Sequence, residues 1–494
     1  MRSGKVRVSV LRGAAVLSFS ALIVKTIGAF FKVPLGNLLG GEGLSCYMTA
    51  FELFGPLYAL TAAGVPAAVS RQISADPRSA KETLGGWLRL FWWVGFSVCV
   101  LFVLMAGPLC RLVGNERAAV CAVALAPSLL FGCLCGCCRG YFQGHGQMGP
   151  TGASQLLESV AKVALGLWLC QKLLKMGYGT HIGAAGALVG VSASTMFSFV
   201  YLRCKVGALP KKKKRPQSRD LKQMAGVCVG TALCGFCATV DVFTVTRLVS
   251  GNGTFLYGAY SGLALTLCNL LPAVTGCLGT AALPAISRAF STGNYVGGRV
   301  CALYKYVFML AGPMGAGLCT MAPQVLAFLF SGRTNEVLVV TLPLQILCLY
   351  GAIWSAVLAA ISVLQAVGIY WASPMLCCMG AAIKLVLNTR LLPVMGLSGA
   401  ALASAVSAGA VLIYAAVWVW RATGGYIRPI DLLHITAGSA LCCVTARLSY
   451  SRLLGLLGSS GATAACVMLG GGVYFLYVAF CKLIEKTDIK DGQF

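Results

Sequence analysis

Four lysines lie inside runs of residues otherwise apolar enough to cross a lipid bilayer: Lys25, Lys32, Lys162 and Lys384. An ammonium group in hydrocarbon costs on the order of several kcal/mol unless it pairs or lines a wet cavity, which makes each lysine a candidate for binding something anionic. Lys25 and Lys32 are seven residues apart, two turns along one helical face. Lys25 reads as cavity-lining. Lys32 stands beside Pro34 near the end of its run, and lining a cavity or snorkelling to the interface are both open. Glu158 and Lys162 have the i,i+4 spacing and order of a paired helical face; they pair only with each other or they contact a ligand. Lys384 has Asn388 one turn beyond it and no acid at the position matching Glu158. Glu52 and Asp241 are the other acids within such runs, each suited to countering the lysines or holding a coupling cation. Arg247, six residues past Asp241, is the fifth candidate cation. Lys25, Lys32, Lys162, Arg247 and Lys384 outnumber Glu52, Glu158 and Asp241. A site with that balance favours phosphate or diphosphate over an organic cation.

Other chemistries find little support. His145, His181 and His434 have no partners in sequence range, so solvated or interfacial roles are expected and no catalytic residue is assigned. There is no GxxxxGK[ST] loop to cradle nucleotide phosphates. The run Cys133, Cys135, Cys137 and Cys138 has no His or Asp among it, so packing is preferred to metal ligation. No cofactor or metal is expected. Asn252-Gly253-Thr254 fits a glycosylation acceptor only in a secretory context.

The elements that must position these residues are membrane spans. The chain has 494 residues, 58% hydrophobic and only 11% charged, with a mean hydropathy of +0.83. A water-soluble surface needs about 25% charged residues, so a bilayer is the consistent solvent. Fourteen helices are expected, at 14–34, 47–70, 88–109, 119–138, 152–172, 182–203, 223–247, 258–284, 303–329, 337–362, 369–388, 397–420, 432–450 and 456–480, with the 450–456 boundary the least defined. The first run is long and lacks a small-residue cleavage site, so it reads as a span and not as a removed signal. With the amino terminus inside, 26 of the 39 Lys and Arg residues fall on the cytoplasmic side, 9 on the outer side and 4 within spans. That is the positive-inside bias, and it returns the carboxy terminus to the cytoplasm. The net charge of +26 is spread over short loops, which suits orientation and anionic phospholipid headgroups and not nucleic acid.

An internal repeat organises the spans. Gly64-Val65-Pro66-Ala67-Ala68-Val69-Ser70-Arg71 is echoed by Ala282-Leu283-Pro284-Ala285-Ile286-Ser287-Arg288. Gln143 precedes Lys162 by 19 residues, and Gln365 precedes Lys384 by 19. Gly186-Ala187-Leu188 matches Ala400-Ala401-Leu402. Offsets of roughly 213 to 222 residues in constant order describe a parallel six-plus-six repeat, a transporter design with substrate between bundles. The expected organisation is a six-helix bundle over 1–210, a basic linker over 211–222 with Lys211 to Arg215, a second bundle over 223–422, two further helices over 431–482, and a cytoplasmic tail over 483–494.

Several segments carry a family resemblance. LIVKTIGAFFKVPLGNLLG at 22–40, AGVPAAVSRQIS at 63–74, RGYFQGHGQMGPTGASQLLESVAK at 139–162 and LYGAYSGLALTLCNLLPAVTGCLGTAALPAISRAF at 256–290 resemble the stage V sporulation protein B family. This is the polysaccharide-transport branch of the multidrug/oligosaccharidyl-lipid/polysaccharide exporter superfamily, related to MurJ-type lipid II flippases. The likeness runs over nearly the whole chain. It implies a MATE/MurJ-like all-α fold and movement of an undecaprenyl-diphosphate-linked cell-wall precursor, lipid II or a related unit, from the inner to the outer leaflet by alternating access. It further implies a bacterial plasma-membrane location, a monomer, a role in peptidoglycan or spore-cortex synthesis, and contact with proteins of those pathways. Lys25 matches the first of the helix-1 arginines that line the MurJ-type cavity, while Lys32 falls one position from the second. Both are Lys, which lacks the bidentate fork of Arg. By the same resemblance Arg247 takes the place of a basic residue near the end of helix 7, Glu158 and Lys162 form an acidic–basic pair on helix 5, and helices 13 and 14 extend a groove for the lipid tail. The alternatives are a cation-coupled drug or metabolite antiporter of the superfamily, in which Asp241, Glu52 or Glu158 dominates, and a membrane scaffold indifferent to all these residues.

Overall fold

The computed structural model describes residues 2–249 and 252–481. Within the first helix, side chains are described at Ser20, Ile23 and Val24 and from Thr26 onward apart from Ala29. The Lys25 side chain and the tail over 483–494 therefore lie outside the described residues. The fold is all-α, with no strand among the described residues. Among these residues ten helices are long and apolar enough to cross a membrane, or eleven when one bent pair is counted as a span. Large apolar side chains stand on the outside, with Leu104 70% exposed and Val394 82%. That suits lipid as solvent and not water.

Two compact units divide the chain, Met1–Arg247 and Leu248–Phe494. The first contains α1 (Arg2–Ala62), α2 (Val65–Ala75), α3 (Ala80–Val113), α4 (Ala118–Leu125), α5 (Pro127–Gly144), α6 (Met148–Lys175), α7 (Thr180–Val206), α8 (Ser218–Ala238) and α9 (Val240–Leu248). The helix expected over 223–247 thus packs with the first unit. A grouping by repeat follows sequence likeness and a grouping by packing follows contact, so the two need not share a boundary.

The small residues of α5 set the close packing. Gly132, Gly136, Gly140 and Gly144 recur every fourth residue, and a Cβ on Gly140 would stand 2.7 Å from the Pro66 carbonyl oxygen. Helices in lipid gain most by letting backbones approach in this way. Pro66 has no N–H to donate, and α2 starts afresh beside it. The Gly64 N–H donates to the Cys228 thiol at 3.3 Å. The core beneath is Val65, Val69, Ile73, Leu84, Trp87 and Phe91, with the Trp87 indole N–H donating to Gln72 Oε1 at 2.6 Å. Cys133 and Cys135 lie buried with their thiols 3.6 and 3.5 Å from the Thr61 and Thr195 carbonyls.

The second unit contains α10 (Gly253–Ala259), a π-helical turn over Tyr260–Ala264, α11 (Leu265–Cys268), α12 (Leu270–Ser291), α13 (Gly297–Thr320), α14 (Ala322–Leu329), α15 (Thr334–Ala366), α16 (Ala372–Met395), α17 (Leu397–Thr423) and α18 (Pro429–Phe480). Its core joins α12, α13, α15 and α17 through Ile286, Val300, Leu303, Val307, Val357, Ala360 and Val411. The Asn252 side chain accepts from the Phe255 N–H at 3.2 Å and caps α10, a structural use of the Asn252-Gly253-Thr254 triplet. The span expected over 303–329 bends by 80° between α13 and α14. Pro323 cannot donate to the Cys319 carbonyl, and Gln345 Nε2 donates to that oxygen at 3.4 Å instead. The chain is helical throughout 450–456 and breaks at Gly458, whose φ of 68° lies in the left-handed region that favours glycine. Lys305 and Asp431, each 12% exposed, approach to 4.0 Å, and Tyr474 O–H donates to the Met309 carbonyl at 2.8 Å, fastening α18 to α13.

The basic linker is docked onto the first unit. Lys214 N–H donates to the Glu82 carbonyl at 3.1 Å, and its Nζ donates to Asp76 Oδ2 at 2.9 Å. Ser79 Oγ donates to the same oxygen at 2.6 Å. Gly86 makes the approach possible, because a Cβ there would overlap the Lys214 carbonyl oxygen. Hydrogen bonds from Ser79 and Lys214 lower the Asp76 carboxyl from 3.8 to about 2. Ser79 is local to Asp76, so only the part owed to Lys214 belongs to docking; that part favours the docked form above the undocked value and is lost as pH falls toward the docked one. Protection of the Lys214 amide against hydrogen exchange is therefore expected to be flat from about pH 4 to 8 once intrinsic rates are corrected, and to fall only below about pH 4. The same measurement on Asp76→Asn should show lower protection at neutral pH. A stepwise loss between pH 5 and 8 would assign the docking to some other group.

Candidate functional site

The ionised cluster of the first unit is built from α1, α5, α6 and α7. Lys162, midway along α6, puts its Nζ 3.7 Å from where a Cβ on Gly28 would stand, so the missing side chain on α1 leaves room for the ammonium. The same Nζ is 6.0 Å from the centre of the Phe31 ring, a buried side chain that contacts the Gly166 position one turn along. Lys32, half-buried on α1, is within electrostatic reach of both Glu52 and Lys162. The structure thus brings together Lys32, Glu52 and Lys162.

Glu158 follows a different course from the one its spacing suggests. Its Oε2 accepts from Arg139 Nη2 at 2.7 Å, while Thr195 Oγ1 stands 3.4 Å from Oε1. Arg139 also donates through Nε to Ser154 Oγ at 3.1 Å and through Nη2 to Ser198 Oγ at 3.1 Å. The Arg139 side chain is 13% exposed and Glu158 29%. A planar guanidinium with five fixed donors can serve several acceptors on two helices, which an ammonium on a flexible stem does less well. Among the described residues no carboxylate oxygen lies within 4.0 Å of Lys162 Nζ. Arg139 is the ionised residue of this cluster that the spacing of the sequence does not single out.

The remaining candidates stand elsewhere. Asp241 is 5% exposed at the start of α9. Arg247 is exposed at the other end of α9, its Cγ 3.7 Å from where a Gly114 Cβ would be. The neighbouring Thr246 O–H donates to the Val113 carbonyl at 2.7 Å. In the second unit Lys384 is half-buried on α16, within electrostatic reach of Cys268 at the end of α11. Asn388, one turn on, is fully buried.

Long apolar helices enclosing ionised side chains, with glycine and proline at their close approaches and breaks, define a multi-pass membrane protein. Residues 10–290 match the polysaccharide biosynthesis protein family, and the chain belongs to it. Relatives from Bacillus subtilis (strain 168) run almost end to end. The uncharacterized membrane protein YabM is 27% identical, covering 94% of this chain and 91% of the relative. Stage V sporulation protein B is 24% identical, with 97% of each covered. Lipid II flippase MurJ is 23% identical over 84% of this chain and 83% of its own. Among solved structures, the fold is similar to a lipid II flippase MurJ in an inward closed conformation, with a TM-score of 0.74 at 14% identity, covering 94% of this chain and 98% of that one. It is also similar to an inward-facing multidrug resistance MATE family transporter of the MOP superfamily, with a TM-score of 0.66 at 16% identity, covering 82% and 99%.

Proposed function

We propose that this protein moves an undecaprenyl-diphosphate-linked saccharide, lipid II or a related unit, from the inner to the outer leaflet of the bacterial plasma membrane by alternating access. The observation that carries the reading is that Lys32 and Lys162 share one electrostatic neighbourhood while the acid nearest Lys162 in sequence is bound to Arg139. Two ammonium groups with limited compensation suit a diphosphate in a low dielectric. The relative named as a lipid II flippase supports the same substrate class. Lys25 and Arg247 are assigned to the anion path of the first unit, Lys384 to an anion contact of the second, and Glu52 to countering Lys32. No covalent bond changes; the diphosphate head crosses in a wet cavity and the prenyl tail stays in lipid.

The topology that goes with this reading has fourteen crossings and both termini in the cytoplasm. It counts Gly40 as the turn inside α1 and Gly458 as the turn inside α18, takes α13 with α14 as one crossing, and adds α6, whose charges keep it from reading as a span by composition. The exposed Lys211, Lys212, Lys213 and Arg215 of the docked linker then face anionic phospholipid headgroups.

The deciding experiment is leaflet accessibility of lipid II in proteoliposomes. Lys162→Ala, Lys32→Ala and Lys25→Ala are each expected to slow its movement by about tenfold or more, the equivalent of about 1.4 kcal/mol. The second reading, a cation-coupled antiporter, draws on the buried Asp241 and the shared fold. Lipid II left in place while a small organic cation is exported, with that export lost in Asp241→Asn, decides for the antiporter.

A further inference from the structure

We infer that Arg139 is a positioning residue for the anion site: it holds Glu158 away from Lys162 and so leaves the Lys162 ammonium available to a diphosphate. The inference deepens the reading above and rests on it. Left to themselves, Glu158 and Lys162 would meet. They are separated by one turn of α6, with the acid amino-terminal to the base, the favoured order for an intrahelical pair. A pair formed that way in a low dielectric would cancel the cation a ligand needs.

Arg139 prevents it by geometry. Its guanidinium reaches across from α5 to hold Glu158 Oε2 at 2.7 Å. Ser154 on α6 and Ser198 on α7 each accept one of its N–H groups at 3.1 Å, so the head cannot swing away without losing three contacts. Thr195 sits at the second carboxylate oxygen at 3.4 Å. Lys162 meanwhile faces α1, toward Gly28 and Phe31, on the side where Lys32 lies within its electrostatic reach. The acid and the base of one helical pair thus have different nearest neighbours, with Glu158 still within electrostatic reach of Lys162 but not in contact with it, and Arg139 is the group that divides them.

Two readouts test this, one needing no ligand. In full-length protein treated with a water-soluble carbodiimide, an activated Glu158 carboxyl can be attacked by the Lys162 amine. An amide C–N bond forms, the activated C–O bond breaks, and the carbodiimide leaves as its urea, so the peptide loses one water. The lactam, mapped by mass spectrometry of the segment 148–175, is expected to be near background in the wild type and several-fold higher in Arg139→Gln. Equal lactam in both proteins overturns the inference.

The second readout is affinity for a short-chain prenyl diphosphate in lipid nanodiscs, measured on the folded, monodisperse fraction. Arg139→Gln should weaken binding about tenfold. Adding Glu158→Gln should restore it to within about twofold, and in a Lys162→Gln background Arg139→Gln should have no further effect. A merely structural arginine would weaken binding by the same factor in both backgrounds, and that result also overturns the inference. A wild type without measurable affinity for the prenyl diphosphate overturns the flippase reading instead, while the lactam comparison still decides whether Arg139 separates Glu158 from Lys162.

Discussion

Leucine in place of Gly190 is expected to leave little folded protein. A Cβ at that position would stand 2.5 Å from the Gly166 backbone nitrogen and 2.6 Å from its Cα, with the Leu165 carbonyl carbon at 3.0 Å. These are backbone atoms within α6, so no side-chain rotation relieves the overlap, and α6 and α7 must separate. Overpacking a well-fitted site costs about 1–3 kcal/mol and sometimes more, and here the helices also lose the small-residue contact that joins them in lipid. The damage reaches function because α6 carries Lys162 and Glu158 while α7 carries Thr195 and Ser198. Gly186→Ala is the control. A Cβ there would meet Leu173 Cδ1 at 2.5 Å, the end of a side chain that can turn aside, so a cost of about 1 kcal/mol or less is expected. Recovery of monodisperse protein in detergent and its apparent unfolding temperature measure both. Wild-type behaviour of Gly190→Leu would mean that the two backbones do not meet at this point.

Helices were more legible in the sequence than their breaks. Apolar length sets where a chain crosses lipid, and the runs at 182–203 and 397–420 lie inside α7 (Thr180–Val206) and α17 (Leu397–Thr423). Breaks depend on what takes up freed backbone groups, which no single residue reveals. Pro34, Pro56, Pro108, Pro284, Pro313 and Pro343 all lie within helical turns that run on past them, whereas Pro323 follows an 80° bend. The repeat illustrates the same point: Pro66 opens a new helix and its counterpart Pro284 does not.

The site was legible to the level of a face and not of a partner. Spacing alone puts Glu158 and Lys162 on one side of α6, and it also makes them an apparent pair. Arg139 escaped because the apolar run ends at 138, which places it at the beginning of a loop. The helix continues to Gly144, and that extra length turns Arg139 into the packed space between α5, α6 and α7. Helix ends follow capping and packing, while the end of an apolar run follows only composition. The available signal was the concentration of Ser154, Glu158, Thr195 and Ser198, acceptors that a buried guanidinium requires.

Removing that guanidinium is the second large effect expected. Arg139→Leu takes from the Glu158 carboxylate, 29% exposed, its ion-pair partner at 2.7 Å and leaves it the Thr195 hydroxyl and the Lys162 ammonium one turn along α6. Breaking a buried pair by deleting one partner costs about 3–5 kcal/mol, because the survivor stays desolvated without compensation. Partial exposure of Glu158 and the Lys162 ammonium it can turn to place the expected value at the lower end of that range or below it, about 2–3 kcal/mol. Arg139→Leu/Glu158→Leu removes both charges together, and exchanging a buried pair for apolar side chains is often close to neutral. The double variant should therefore unfold near the wild-type temperature and the single well below it. Glu116→Gln provides the contrast. Its partner Arg111 lies at 3.8 Å with both side chains about three-quarters exposed, at 74% and 75%, and such a pair contributes about 0–1 kcal/mol. Unfolding of the three variants in one detergent separates the cases, since all remove an ion pair and only Arg139→Leu leaves a charge behind in the helical core. Equal destabilisation by Arg139→Leu and Arg139→Leu/Glu158→Leu would shift the weight to the Ser154 and Ser198 hydrogen bonds, which both variants lose.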